Sequence, residues 1–171
     1  MIMANIPGTS NDDVLLGTSG SDLIESYGGN DTLGGNASTA GSGGRDSVYG
    51  GDGDDVLYGT RGGLHGDDGD DTFHATAKKG TGQIHIWGGA GNDTINLNFN
   101  SISTPPNSGS NSNVSHGHHA RGGLGNDTFN FQNTANVSHV VVGRLEDFDS
   151  RDEILIDGYS LDLETLETNA N

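Results

Sequence analysis

The sequence contains no cysteine and only three prolines among its 171 residues. Without cysteine the chain can form neither a disulfide nor a thiolate zinc site, although this absence says little about its compartment. No apolar run approaches the roughly 20 residues of a membrane-spanning helix. The first residues, MIMANIPGTS, show neither the basic region nor the long hydrophobic region of a secretory signal peptide. The sequence therefore predicts neither a membrane span nor a leader of that kind.

Positive charge and hydrophobic residues are also scarce. Seven Lys and Arg residues stand against 24 Asp and Glu, which gives a formal net charge of −17, and 30% of the residues are hydrophobic. A charge of this sign argues against binding nucleic acid through its phosphates. Low hydrophobicity with high net charge is typical of disordered chains, because little apolar area is available to offset the ordering entropy. Either the chain is disordered or a cation completes its fold.

Catalytic motifs are absent from the sequence as well. It contains no HExxH, no GxSxG and no P-loop. Many of the acidic residues fall in glycine-rich turns, where their spacing already has a structural explanation. We therefore expect this chain not to be an enzyme.

Glycine, in contrast, is abundant, with 30 residues arranged in a repeat of nine. The clearest copies are GGDGDDVLY (50–58), GDDGDDTFH (66–74), GGAGNDTIN (88–96) and GGLGNDTFN (122–130), with weaker copies at 8–16, 17–25, 26–34 and 41–49. The pattern is G-G-x-G-x-D-x-U-x, in which U is apolar. Glycine permits a tight turn that exposes backbone carbonyls beside one carboxylate, and oxygen ligands of this kind suit Ca²⁺. The last three positions predict a short strand with U facing inward.

These repeats resemble the RTX (hemolysin-type) calcium-binding nonapeptide family. They are also similar to the RTX modules of alginate epimerases and to the C-terminal domains of serralysin-type proteases. The resemblance implies an all-β fold, a right-handed parallel β-roll (β-solenoid) with two nonapeptides per coil and several Ca²⁺ ions between stacked turns. We expect an N-terminal extension at 1–7, the roll at 8–136 with insertions at 34–40, 59–63, 75–82 and 97–118, and a C-terminal cap at 137–171. That last segment could also hold a secretion signal.

Successive turns should alternate between two edges of the roll, which we name edge A and edge B. The candidate carboxylate ligands are Asp13, Asp31, Asp55, Asp71, Asp93 and Asp127 on edge A, and Asp22 and Asp46 on edge B. By the geometry of the family, edge A then has about five sites and edge B about one. Candidate carbonyl ligands are Gly29, Gly51, Gly53, Gly69, Gly89, Gly91, Gly123 and Gly125.

The same register places one main apolar side chain per nonapeptide inside the roll. The predicted core is Leu15, Ile24, Leu33, Val48, Leu57, Leu64, Phe73, Ile86, Ile95, Ala120 and Phe129, with Val140, Val142, Leu145, Phe148, Ile154 and Ile156 covering the last coil. One such side chain per nine residues does not offset the ordering entropy, and the stacked aspartates repel each other. We therefore expect the chain to be disordered without calcium and to fold on binding it.

One outward face gathers most of the rings, and we expect it to be a partner-binding surface. Its residues are Tyr49, His65, His85, Trp87, His119 and Arg121. Aromatic and cationic side chains suit an anionic polysaccharide, the kind of ligand that the epimerase modules engage. Two alternatives stay open: the side chains could be ordinary surface residues, or they could pack against another subunit or domain.

Two further patterns have competing interpretations. His116, His118 and His119 could ligate zinc or copper, but H-x-H-H matches no specific site and a flexible polar loop also accounts for them. Thr32, Thr72, Thr94 and Thr128 fall in one outward column that could bind ice, although threonine at this position is ordinary for the repeat.

Two functions of different classes follow. The first is a secreted calcium-binding module that folds outside the cell, since extracellular calcium modules bind at about 10⁻⁴–10⁻³ M. The resemblance implies type I secretion through an uncleaved C-terminal signal. The second is a self-assembling or adhesive extracellular protein that contacts polysaccharide, or copies of itself, through its insertion-bearing side or the ends of the roll.

Overall fold

The computed structural model describes residues 3–34, 44–78, 83–101, 118–134 and 143–161. Within these ranges the chain forms fifteen β-strands joined by turns. Odd-numbered strands alternate with even-numbered strands between two sheets, as the nonapeptide register predicts. The described part of the chain contains no helix with the length and hydrophobicity that crossing a membrane would require.

Sheet 1 has seven strands, all parallel, in chain order. They are β1 (Asn5–Pro7), β3 (Leu23–Glu25), β5 (Asp46–Asp52), β7 (Gly62–Asp68), β9 (Ile84–Ala90), β11 (His118–Leu124) and β13 (Gly143–Leu145).

Sheet 2 has eight strands, of which the first seven are parallel and the last is antiparallel. They are β2 (Val14–Leu16), β4 (Thr32–Gly34), β6 (Val56–Gly59), β8 (Thr72–Lys78), β10 (Thr94–Ser101), β12 (Thr128–Gln132), β14 (Glu153–Ile156) and β15 (Tyr159–Ser160). The two sheets form the parallel β-roll that the repeat implies.

The core lies between the two sheets and is built from one side chain per strand. Ten of the eleven predicted core residues are buried, and Leu15 packs against them partly exposed. Strand register stacks these side chains in columns, for example Val48 beside Leu64 and Leu64 beside Ile86. Four further residues join the core because β8, β9 and β10 are longer than a nonapeptide strand; they are Ala75, Ile84, Leu97 and Phe99.

The chain is longest between consecutive strands where it leaves a sheet-2 strand at edge B and returns to the next sheet-1 strand. These stretches separate β4 from β5, β10 from β11, and β12 from β13. Residues 59–63, which we expected to be an insertion, make a short connection instead. Asp55 and Asp71 are 16 residues apart, whereas Asp13 and Asp31 are 18 apart. The coil is short because β7 follows β6 after only two residues.

Both ends of the roll use residues outside the clear repeats. The expected N-terminal extension contributes β1, which pairs with β3 at the edge of sheet 1. At the other end β13 and β14 add one strand to each sheet, and Leu145, Phe148 and Ile154 pack against the core. Strand β15 then pairs antiparallel with β14. Val140, Val142 and the expected secretion signal lie outside the described residues.

The second turn position on edge A has a left-handed backbone in every coil from Tyr27 onward. Glycine occupies it in three coils, for example Gly51 with φ 99°. Tyr27 and Asp67 occupy the same position with φ 74° and 75°. A side chain in this region costs on the order of 1–2 kcal/mol, so these two coils are strained relative to their neighbours.

Replacing Asp67 by glycine should therefore stabilise the calcium-loaded protein by about 1 kcal/mol. The matched control is Asp68→Gly, which removes the same charge from the next residue, where φ is not positive. That control should lower stability, because glycine adds chain entropy without relieving strain. Thermal unfolding at fixed calcium measures both effects. An Asp67→Gly variant that melts no higher than Asp68→Gly would contradict the prediction.

Candidate calcium sites

The six edge-A aspartates form a continuous hydrogen-bonded ladder. In each coil the backbone N–H of the aspartate donates to Oδ1 of the aspartate in the next coil, from Asp13 through Asp127, with N···O distances of 2.6–2.9 Å. The separations along the chain range from 16 to 34 residues. The structure therefore brings these predicted residues together in one column despite coils of very different length.

The second oxygen of the four central carboxylates has no hydrogen-bond partner among the described residues. Oδ2 is buried and unpaired in Asp31, Asp55, Asp71 and Asp93. Leaving a charged oxygen buried without a partner is costly, and native structures normally satisfy such groups with a donor, a water or an ion. The ladder thus offers a row of inward carboxylate oxygens whose chemistry fits a cation.

Glycine at the first turn position keeps space open around three of these oxygens, those of Asp55, Asp71 and Asp93. A Cβ built on Gly66 would lie 2.0 Å from Asp71 Oδ2 and 2.5 Å from the carbonyl oxygen of Gly88. A Cβ on Gly88 would lie 2.1 Å from Asp93 Oδ2 and 2.2 Å from the carbonyl oxygen of Gly122. Carboxylate and carbonyl oxygens therefore face one small space per coil. Oxygen-only donors in a turn are the ligands that calcium prefers.

The predicted carbonyl donors at the second and fourth positions also stack from coil to coil. The carbonyl oxygen of Gly69 lies 2.1 Å from where a Cβ on Gly91 would be, and that of Gly89 lies 2.1 Å from the same point on Gly123. The sequence did not single out the first-position carbonyls of Gly88 and Gly122, which lie next to the unpaired oxygens. The ligand role of all these carbonyls stays a prediction.

Burial disfavours the charged form of the central aspartates of the ladder. Burial is the largest cause and the neighbouring carboxylates add to it; together they raise the pKa of Asp55 to about 6, of Asp71 to about 8 and of Asp93 to about 7. Hydrogen bonds from the adjacent backbone N–H groups oppose the shift without cancelling it. At neutral pH the ladder therefore needs either protons or a cation to relieve its charge.

Edge B carries a much shorter ladder. Ala4 N–H donates to Asp22 Oδ1 at 3.0 Å and Asp22 N–H donates to Asp46 Oδ1 at 2.9 Å. Burial raises the pKa of Asp46, whereas at Asp22 hydrogen bonds from Thr18 and Ala4 outweigh burial and lower it. In the next two coils Gly62 and Ile84 take the aspartate position. Ile84 is buried, so an apolar contact replaces the ionic one at that point.

Sequence reasoning missed two features of edge A. Asp152 continues the ladder, since its Oδ1 accepts a hydrogen bond from Asp127 N–H at 3.0 Å. Its Oδ2 accepts from Asp149 N–H at 2.8 Å, so Asp152 ends the row with both oxygens satisfied. The triplet Asp152-Glu153-Ile154 matches the D-x-U pattern and could have revealed it. The second feature is a parallel row of fifth-position side chains, which bond coil to coil from Asp12 to Asn126.

The residues of the expected partner-binding surface lie side by side on the outer face of sheet 1. The ring of His65 stacks between Tyr49 and Trp87, with centroid distances of 4.4 and 4.2 Å. His85 stacks on His119 at 4.9 Å. We name these five rings the ring column. It ends at Glu146, which accepts hydrogen bonds from His119, Arg121 and Arg144 and whose pKa these donors lower to about 2.

The structure describes only part of the histidine cluster, and the threonine column is not continuous. His116 lies outside the described residues, and His119 is bonded to Glu146 at 2.7 Å. Among the residues that the structure describes, no three His, Asp or Glu side chains converge on a common metal position. The expected calcium sites thus depend on pairs of carboxylates together with carbonyls. The threonine column runs in register through Thr72, Thr94 and Thr128 but is interrupted by Val56.

An all-β parallel roll with a buried carboxylate column along one edge defines the class of this protein as a calcium-binding β-roll. The family model of the RTX calcium-binding nonapeptide repeat matches four copies, at residues 7–38, 40–63, 64–77 and 85–99. The chain belongs to this family. No curated protein and no solved structure matches it. The matched copies end before Asp127, although the structure places that residue on the same ladder.

Replacing Asp71 by asparagine should weaken the calcium sites that border it about tenfold or more, roughly 1.4 kcal/mol. Asparagine keeps an acceptor for the Asp55 N–H but loses the charge that binds the ion. Asp68→Asn is the control, because it removes the same charge from an exposed side chain. Calorimetric titration of calcium into each variant compares them. Equal affinities in the two variants would remove Asp71 from the ligand set.

Acidification should increase the β-structure of the calcium-free chain between about pH 8 and pH 5. The pKa values of Asp55, Asp71 and Asp93 are raised in the folded state, so the folded chain binds more protons than the unfolded chain in this range. Its stability therefore falls as pH rises through this range and is highest near the lower end. Circular dichroism in chelator across this range gives the measurement. A β-signal that increases towards pH 8 would show that the sign is wrong.

Proposed function

We propose that this chain is a secreted calcium-binding RTX β-roll that folds when it binds calcium outside the cell. In this function it serves as an extracellular binding or secretion module and performs no catalysis itself. The observation that supports the proposal is the column of buried, unpaired Oδ2 atoms on edge A. Folding the chain creates this column, and a divalent cation is the group that satisfies it.

The proposed ligands are the eight aspartates of the two ladders together with the carbonyl oxygens of the glycine turns. The six edge-A aspartates leave five gaps between successive coils, and Asp22 and Asp46 leave one on edge B. Asp152 is not included, because no glycine-rich turn precedes it to supply carbonyl ligands. We therefore propose five sites on edge A and one on edge B.

Affinity and charge support the extracellular location. Extracellular calcium modules bind at about 10⁻⁴–10⁻³ M, far above the calcium level of a cytosol. The net charge of −17 opposes compaction until cations neutralise the turns. A chain with these properties stays unfolded before export and folds after it, which suits the type I secretion of the family.

Self-association is a second candidate function, and one observation favours it. Among the described residues no strand pairs with the outer edge of β2, the first strand of sheet 2, and its Val14 and Leu16 are 73% and 65% accessible. At the opposite end the antiparallel strand β15 covers the edge. An unpaired strand edge with apolar side chains can pair with another chain. In the adhesive form of this function, the ring column contacts an anionic polysaccharide.

Calcium should convert the chain from a disordered to a β-rich state at submillimolar to millimolar concentration. The expected result is a coil spectrum in chelator, followed by a cooperative gain of β-signal as calcium is added, because the ladder charges are neutralised together. Magnesium at the same concentration is the control, since it holds its water and prefers strict octahedral geometry. A full β-signal in chelator at neutral pH would falsify the proposal. Size-exclusion chromatography of the calcium form separates the two functions, as a monomer supports the module and large assemblies support self-association.

A further inference from the structure

A pocket of about 290 Å³ opens on the outer face of sheet 1, next to the edge-B ladder, whose Asp46 is one of its lining residues. Gly62 and Gly63 of β7 are among the residues that line it. In the outward row that crosses the strands, Gly63 lies in register between Ser47 on β5 and His85 on β9. The row therefore lacks a side chain at one strand, and the pocket occupies this gap.

One wall of the pocket consists of aromatic rings. His65 Nε2 and Trp87 Cζ3 lie 3.3 and 3.4 Å from where a Cβ on Gly63 would be. These two rings are stacked at 4.2 Å with an interplanar angle of 8°. His85 stacks on His119 with an angle of 6°, and its register neighbour on the other side is Gly63. A flat ring in the gap would continue that stack. Rings in the same row on neighbouring strands are one strand spacing apart, which suits parallel stacking.

The opposite wall contributes an arginine whose charge has no carboxylate partner among the described residues. Arg121 and Arg144 pair with Glu146, and Arg151 pairs with Asp149, but Arg45 makes no such pair there. Its guanidinium lies close enough to His85 to help lower the pKa of that ring, after burial and the charge of His119. Asp46 also lines the pocket, but its carboxylate is buried and accepts the Asp22 N–H. Arg45 therefore contributes the exposed charge of the pocket lining.

We propose that this pocket binds a planar aromatic or heteroaromatic carboxylate. The ring lies in the gap above Gly63, beside His85 and against the edges of His65 and Trp87. The carboxylate pairs with Arg45 in the bidentate geometry that guanidinium favours. A puckered sugar ring suits the site less well, because the stacked rings already cover each other's faces. The site rests on the calcium-folded roll of the proposed function and shares His65, His85 and Trp87 with the ring column.

Benzoate titration of the calcium-saturated full chain tests the proposal, with the fluorescence of Trp87, the single tryptophan, as the readout. Benzamide has the same ring without the charge, and cyclohexanecarboxylate has the same charge on a puckered ring. Benzoate should bind at least tenfold more tightly than either. Equal binding of cyclohexanecarboxylate overturns the planar-ring requirement, and tighter binding of galacturonate than of benzoate assigns the pocket to polysaccharide instead.

Two variants locate the binding. Gly63→Val fills the gap, at a residue whose φ is not positive. Arg45→Gln removes the exposed charge. Each variant should bind benzoate at least tenfold more weakly. Arg151→Gln, on edge A, is the control and should leave the affinity unchanged. Circular dichroism with calcium precedes each titration, so failure of calcium-dependent folding is seen separately from failure of the pocket. If Gly63→Val does not fold, Arg45→Gln and the ligand series decide. Unchanged benzoate affinity in Arg45→Gln refutes the proposal.

Discussion

One hydrogen bond, repeated from coil to coil, sets the geometry of edge A. The aspartate of each turn presents its N–H to the carboxylate of the next coil, which fixes that carboxylate by one oxygen and leaves the other inside. This arrangement aligns the strands that follow, so Leu57, Phe73 and Ile95 lie in one core column. It also concentrates negative charge in a buried row. The same interaction therefore organises the fold and creates the row of buried carboxylates at which we propose that calcium binds.

The repeat allowed much of this structure to be predicted from sequence. Glycine spacing and the D-x-U triplet determine where each turn ends and which side chain faces inward, as Ile24, Val48 and Phe73 show. Parallel pairing then follows, because identical units stack in register. The limits of prediction appear where side chains depart from the unit. Asp152 joins the ladder without the glycine turn that precedes the other ladder aspartates. Asp67 has a left-handed backbone, which is not expected of an aspartate.

The aspartate position of the turn is stabilised by different interactions on the two edges. On edge A every coil keeps an aspartate. On edge B the ladder stops after Asp46, and Ile84 fills the corresponding place with apolar surface. The sequence showed isoleucine at the expected aspartate position, but its burial could not be predicted, because that depends on how the neighbouring coils pack around it. The pocket over Gly63 was equally hidden, since a missing side chain becomes a cavity only when the rows beside it are filled.

The unequal lengths of the coils have a practical consequence. Ladder aspartates that are 16 residues apart and ladder aspartates that are 34 residues apart make the same hydrogen bond at nearly the same N···O distance. Extra chain is taken up between β10 and β11, on the edge where the long connections lie. Loop-closure entropy grows slowly with length, so such additions cost little. The roll is thus a scaffold for loop grafting: foreign peptides can be displayed on edge B while the opposite edge keeps the register.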